Sequence, residues 1–276
     1  MCPNCRAFIT TDDRVCPYCE LQLGPRVIDQ RSPANVLGGL IPHYRFTTMV
    51  IMLINTGLYI ATVLYAMRSN RGGGLDLDSG TLIDFGGKDA YGIFVEGQWW
   101  RLVTAGFLHG GLLHILMNMW VLFDLGVQVE ETYGTSRYLV FYFLATVGGF
   151  LASSFWAPRV LSIGASAGIF GLIGAMIALG VRDRSAYGAM IRRVYMRWAM
   201  YGLAMGILPA LFGFAFMDNA AHIGGGLTGF VIAYIAGTPR LASRAVEGFW
   251  RFAAGVALAL TAISFVEMIL FLSRQQ

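Results

Sequence analysis

Gly164-Ala165-Ser166-Ala167-Gly168-Ile169-Phe170-Gly171-Leu172-Ile173-Gly174-Ala175-Met176-Ile177-Ala178-Leu179-Gly180-Val181 carries no charge and has one hydroxyl, Ser166, near its start. A run of this kind reads as a membrane helix, since crossing the hydrocarbon core takes about 20 mostly apolar residues. A second apolar run opens with Ala221-His222-Ile223-Gly224-Gly225 and sets a histidine in the same relation to its own span. A nucleophile and a base, each at the mouth of a membrane helix, point to peptide-bond hydrolysis at a membrane.

The composition of the whole chain agrees with that class. Hydrophobic residues make up 56% and charged residues 13%, and the mean hydropathy is +0.60. Soluble domains carry about 25% charged residues. Apolar segments predict spans at 46–67, 110–130, 137–156, 164–181, 197–216, 220–237 and 250–272. The fourth and sixth are short and rich in glycine. The first 40 residues are polar and cysteine-bearing, without the basic start and apolar core of a cleavable signal peptide, so the first span is expected to act as the targeting anchor. The expected fold class is an all-α polytopic membrane protein with seven spans.

The formal net charge of +4 and the pI near 9.0 invite a nucleic-acid reading, but the placement of the charge argues otherwise. Arg182, Arg184, Arg192, Arg193 and Arg197 crowd one connection, and Arg240, Arg244 and Arg251 another. Both fall on the side of the N-terminal Arg26, Arg31 and Arg45, whereas Asp76, Asp78, Asp84, Asp89 and Glu96 dominate the opposite side. Arginine gathered on one face is the positive-inside pattern. The expectation is a cytoplasmic N-terminus, a cytoplasmic 182–197 loop, and 68–109 and the C-terminus outside. The bilayer, not nucleic acid, is the implied partner.

The four cysteines form two C-x-x-C knuckles, Cys2-Pro-Asn-Cys5 and Cys16-Pro-Tyr-Cys19. Four thiolates on paired tight turns suit tetrahedral Zn²⁺, and about 25 residues do not fold on a hydrophobic core alone. Two disulfides are the alternative, and they require an oxidising compartment. A cytosolic N-terminus favours zinc. The expected division is a zinc ribbon at 1–22 and a Pro25-, Pro33- and Pro42-containing linker at 23–45, then a membrane core at 46–240 and a last span within 241–276. With all four positions filled by cysteine, this zinc is structural.

Within the core, Gly164-x-Ser166-x-Gly168 also matches the nucleophile elbow of soluble hydrolases, but that elbow follows a strand and no alternating pattern surrounds Ser166. Read alone, Ser166 is also what a close helix contact would use. His109-x4-His114-x3-Asn118 supplies further polar groups, and on a helix His114 and Asn118 share a face. Polar side chains at membrane depth are costly and default to function. A metal site of His109, His114 and His222 competes, but no carboxylate lies at the matching depth. Gly164 and Gly168, Gly171 and Ala175, and Gly225 and Gly229 are small residues four apart, which let helices approach closely in lipid. If these faces meet, Ser166 and His222 come within reach, and the start of the fourth span offers free N–H groups to an oxyanion.

Gly97-Gln98-Trp99-Trp100-Arg101-Leu102-Val103-Thr104, His109-x4-His114-x3-Asn118, Gly164-Ala165-Ser166 and Ala221-His222-x2-Gly225-x3-Gly229 together resemble the rhomboid family of intramembrane serine proteases over roughly residues 45–240. The resemblance implies a six-helix core with one helix appended. It also implies a Ser–His dyad with Ser166 as nucleophile and His222 as base, then acid. His114, Asn118 and the Ser166 N–H would line the oxyanion hole, with His109 supporting them by hydrogen bonding. Glu130 and Gly134 fall where the family has a capping carboxylate and turn. Ala167 stands where relatives often have glycine. Phe170 stands where an aromatic, commonly Tyr, stacks on the catalytic histidine; it keeps the stack and loses the hydroxyl. Asp218 and Asn219 precede His222, and Asn219 is expected to tie the helix start or its loop rather than take part in catalysis. Asp124 in the second span and Glu267 in the seventh receive no role.

The resulting expectation is an intramembrane serine endopeptidase of a bacterial cytoplasmic membrane, acting on single-pass transmembrane proteins, with structural Zn²⁺ and no catalytic cofactor. A proteolytically silent chaperone or binding protein on the same fold is the alternative.

Overall fold

A computed structural model describes residues 4–5, 7, 15–21, 46–71, 74–213, 217–239 and 243–275. The chain divides into two compact units, Met1–His43 and Tyr44–Gln276. In the first, turns at 4–5 and 17–19 bring Cys5, Cys16 and Cys19 together, with their Sγ atoms all within 4.8 Å of one another. Cys16 N–H donates to Leu21 O and Glu20 N–H to Cys16 O, both at 2.9 Å, which closes the second knuckle. Cys2 and the linker 23–45 lie outside the described residues.

The second unit begins with α1 (Phe46–Arg68). A long connection follows, holding the short helices α2 (Ser79–Asp84), α3 (Ala90–Phe94) and α4 (Arg101–Thr104), the last continued by a 3-10 turn at Ala105–Phe107. Then come α5 (Leu112–Tyr133), α6 (Thr135–Trp156), α7 (Ser166–Arg182), α8 (Ala186–Leu211), α9 (Asn219–Ala236) and α10 (Arg244–Ser273). Each predicted span is therefore a helix, and the protein is an all-α polytopic membrane protein. α1, α5, α6 and α10 are long and apolar enough to cross a bilayer, while α7 is a shorter apolar helix of 17 residues. α7 takes the middle of the bundle, and every residue from Ala167 to Met176 is buried.

The main departure from the sequence reading concerns the fifth span, expected at 197–216. α8 starts eleven residues earlier, because Ser185 caps it by accepting the Gly188 N–H and because arginine is a good helix former. Arg192, Arg193 and Arg197 thus sit on a helix, and the connection from α7 shrinks to 183–185. α10 likewise begins early, at Arg244, under a Ser243 cap.

A single residue, Gly134, joins α5 to α6. Its φ of +79° suits glycine and strains other residues. Beside it, Glu130 Oε1 accepts hydrogen bonds from Thr47 Oγ1 (2.6 Å) and Thr135 Oγ1 (2.7 Å). One buried carboxylate thus ties the starts of α1 and α6 to the end of α5.

Glycines set the spacing around α7. A Cβ at Gly229 or Gly225 of α9 would collide with the backbone of Gly171 or Ala167, and one at Gly174 would collide with Gly226 O. α7 and α9 therefore meet backbone to backbone, as small residues allow in lipid. Gly168 turns elsewhere: a Cβ there would meet the Tyr142 ring at 2.7 Å and Thr146 Oγ1 at 2.8 Å on α6. The small residues of α7 thus serve two neighbours, not the single facing partner expected. α10 packs on α6 and on the α4 segment. Arg137 forms a bidentate pair with Glu247 (2.8 and 3.1 Å), Trp250 and Phe265 meet Phe141 and Phe107 edge-on, and Phe271 lies tilted against Trp100. Asp124 is exposed on α5. One turn on, Gln128 accepts the Tyr195 hydroxyl from α8 at 2.6 Å.

Candidate active site

Ser166 is the first residue of α7, and His222 lies in the first turn of α9. The glycine contact brings these helix ends together, and Ser166 Oγ lies 2.8 Å from His222 Nε2. His222 is buried. One turn into α7, the Phe170 ring lies parallel to the imidazole, with centroids 4.3 Å apart and an interplanar angle of 7°. That stack matches the expectation for the aromatic position. At the tip of the Phe170 ring lies Gly202 of α8, where a Cβ would come 2.6 Å from Cζ.

Gly164 has φ +117°, which strains any other residue. Its N–H donates to Ala105 O at 2.8 Å, pinning it to the 3-10 turn. A Cβ on Gly164 would lie 2.6 Å from His114 Nε2 and 3.7 Å from Asn118 Nδ2. The His114 and Asn118 side chains therefore converge on the backbone just before Ser166, as their shared helix face predicts. Asn118 Nδ2 also donates to His114 O at 3.1 Å, which holds the carboxamide. The first helical acceptor of α7, Ala165 O, is taken by Ile169 N–H, so the N–H groups of Ser166 and Ala167 fall among those a helix start leaves without an intrahelical partner. Donors from two helices thus surround one point beside the serine.

His109 is fully buried, its ring edge-on to His114 with centroids 4.9 Å apart. Among the described residues no side chain donates to or accepts from either ring nitrogen. Its contact with His114 is the edge-on packing of the two rings.

Asp218 and Lys88 build the surroundings, and the sequence reading assigned neither. Asp218 caps α9, accepting the Ala221 N–H on Oδ1 at 3.0 Å and the Ser153 hydroxyl of α6 on Oδ2. An aspartate directly before an apolar helix is a recognisable cap signal. Buried Lys88 donates to Ala157 O and Val160 O, each at 2.9 Å, and pairs with Ser162 through a β-bridge. These bonds pin the segment that leads to Gly164. Burial pushes the Lys88 pKa down, and the charges of Asp218 and Asp89 pull it back. No local pattern marks that lysine, since its acceptors lie about seventy residues away.

In the N-terminal unit, Cys5 Sγ and Cys16 Sγ are 3.6 Å apart. Tetrahedral zinc with Zn–S of about 2.3 Å spaces its sulfurs about 3.8 Å apart, so the donor set fits that ion. Hydrogen bonds from the Leu21 backbone and the Asn4 side chain lower the Cys19 pKa to about 6.

Comparison with known proteins gives the site its context. The family model of the Rhomboid domain matches residues 96–239. The chain is similar to Rhomboid protease GluP of Bacillus subtilis (strain 168), at 34% identity over 190 residues, which cover 67% of this chain and 35% of that protein. It is 33% identical over 159 residues to RHOMBOID-like protein 6, mitochondrial, of Arabidopsis thaliana, covering 57% of this chain and 50% of that one. Rhomboid-like protease 3 of Toxoplasma gondii is 35% identical over 140 residues, with 50% and 52% covered. The chain thus spans from about a third to just over a half of the length of these curated relatives.

Proposed function

We propose that this chain, which belongs to the rhomboid family, hydrolyses peptide bonds of single-pass membrane proteins with a Ser166–His222 dyad. The observation that carries the reading is the 2.8 Å approach of Ser166 Oγ to His222 Nε2 at the mouths of two membrane helices. Ser166 Oγ attacks the scissile carbonyl carbon while its proton passes to His222 Nε2. The carbonyl oxygen becomes an oxyanion, met by His114, Asn118 and the Ser166 N–H. The imidazolium then gives its proton to the leaving amine, the C–N bond breaks, and an ester to Ser166 remains. Water, deprotonated by His222, attacks that ester; the acid product leaves and the serine regains its proton. Asp218 is read as the cap of α9 and not as a third member: its oxygens accept from the Ala221 N–H and the Ser153 hydroxyl, and its carboxylate makes no hydrogen bond to His222.

A transmembrane helix hides its carbonyls in its own hydrogen bonds. Favoured substrates are therefore spans that unwind readily near their outer end and carry small residues at the cut. The test is covalent. A fluorophosphonate probe is expected to label the purified chain at Ser166, and the chain to cleave a tagged single-span substrate in reconstituted vesicles. Absence of both would point to the silent chaperone or binding role instead.

We further propose that residues 1–22 form a Cys2, Cys5, Cys16 and Cys19 zinc ribbon on the cytoplasmic side, joined by the linker 23–45 to the protease core 46–240 and the appended α10. The sulfur spacing supports the zinc, and the arginine placement supports the orientation. Mass spectrometry of native protein is expected to find one zinc, lost on Cys2→Ser with Cys5→Ser, while Ser166 labelling in detergent continues. In sealed cells treated with a permeant chelator, an impermeant thiol reagent is expected to reach the ribbon cysteines only after the membrane is opened. Labelling before opening would reverse the orientation, and loss of Ser166 labelling in the double variant would make the ribbon part of the enzyme.

A further inference from the structure

His222 meets the serine through Nε2, and a neutral base bare at Nε2 carries its proton on Nδ1. That Nδ1 is buried and has no hydrogen-bond partner among the described residues. An unsatisfied buried donor is costly, and a base free to turn loses its aim at the serine. Three residues earlier in the same helix, Asn219 Oδ1 is a buried acceptor, also without a partner among the described residues. Residues three apart on a helix are surface neighbours. The chain therefore leaves one orphan donor and one orphan acceptor on adjacent positions of α9.

Asp218, a competing acceptor, is engaged with other donors. The carboxylate of Asp218 holds Ala221 N–H and Ser153 Oγ, and Asp218 O takes the backbone N–H of His222 at 3.2 Å. Asn219 is not needed for the helix start, since Asp218 does the capping. α8 also closes over the carboxamide: a Cβ at Gly206 would come 2.7 Å from both Asn219 Oδ1 and Nδ2. One turn away on the same face, Gly202 covers Phe170 in the same manner. α8 thus walls in the ring stacked on the imidazole and the amide three residues before it in α9.

We propose that Asn219 is a positioning residue: its Oδ1 accepts the His222 Nδ1 proton and holds the ring with Nε2 bare toward Ser166. The proposal rests on the Ser166–His222 reading above. As Nε2 takes the serine proton, the ring becomes a cation and the Nδ1–H···O bond becomes charge-assisted, so it strengthens as the reaction proceeds. A contact of that kind acts on the chemical step and not on ligand binding.

The test uses the full chain in detergent and follows fluorophosphonate labelling of Ser166, separating kinact from KI. Asn219→Ala is expected to lower kinact about 10- to 100-fold with KI unchanged, the effect of stranding a buried donor. Asn219→Asp, which keeps an acceptor oxygen at the same reach, is expected to restore most of the rate. Asn219→Leu, which fills the space without an acceptor, is expected to behave as Asn219→Ala. Thermal unfolding measured in parallel separates positioning from folding. Wild-type labelling by Asn219→Ala, equal losses in Asn219→Ala and Asn219→Asp, or a loss no larger than the unfolded fraction would each overturn the proposal. If the wild type itself is not labelled at Ser166, the Ser–His reading fails, and this inference falls with it.

Discussion

Ser166→Ala and His222→Ala are each expected to abolish cleavage, and the double substitution to do little more. The serine is bonded to the histidine at 2.8 Å, so each is inert without the other: the hydroxyl loses its proton acceptor, and the base has no nucleophile to activate. In a comparable hydrolytic unit either loss alone costs about 10⁶-fold in rate, nearly as much as removing the whole unit. The measurement is turnover of a tagged single-span substrate in vesicles, with fluorophosphonate labelling alongside. Both single variants should remain folded, because Ser166 contributes only a hydroxyl at a helix start and the α7–α9 seam is made by glycines. Independent, multiplying losses in the double variant would show that the two side chains do not act together. Cleavage by purified Ser166→Ala at the wild-type rate would remove the protease reading altogether.

Asn118→Ala is expected to lower the cleavage rate by about 10²–10³-fold, or about 3–4 kcal/mol, as loss of one oxyanion donor does elsewhere. The Asn118 carboxamide is held by the His114 carbonyl and lies close to the Gly164 backbone. In the proposed mechanism it would donate to charge that appears only during reaction, so the loss should fall on kcat with KM little changed. His114→Ala should behave similarly. His109→Ala should act only through the ring contact with His114, with a smaller loss in rate. A larger effect for His109 than for His114 would assign their roles the other way round. Equal rates for Asn118→Ala and the wild type would place the oxyanion elsewhere.

Much of this molecule is legible along the chain because the relevant signals are local. Apolar run length marks each helix, and the position of Ser166 or His222 within its run marks the depth of the side chain. The spacing of His114 and Asn118 gives a shared helix face from geometry alone. The aromatic at Phe170 follows the serine by one turn, which places it beside whatever the serine faces. Boundaries failed where polar residues continue a helix: the arginines of α8 read as a loop until the Ser185 cap shows where the helix begins.

Composition and apolar run length therefore determine the class and the seven long helices, and residue type and spacing single out Ser166, His222 and the cysteines as candidates. They leave open which helices touch. Only the tertiary structure decides that Gly171 meets Gly229 while Gly168 turns to Tyr142, that Lys88 holds the segment before Gly164, and that Asp218 is occupied while Asn219 is not. The reason is physical. Hydrophobic periodicity and caps act within a few residues, whereas close packing and hydrogen-bond satisfaction join groups far apart in sequence, and no local pattern records which acceptor a distant donor has already filled.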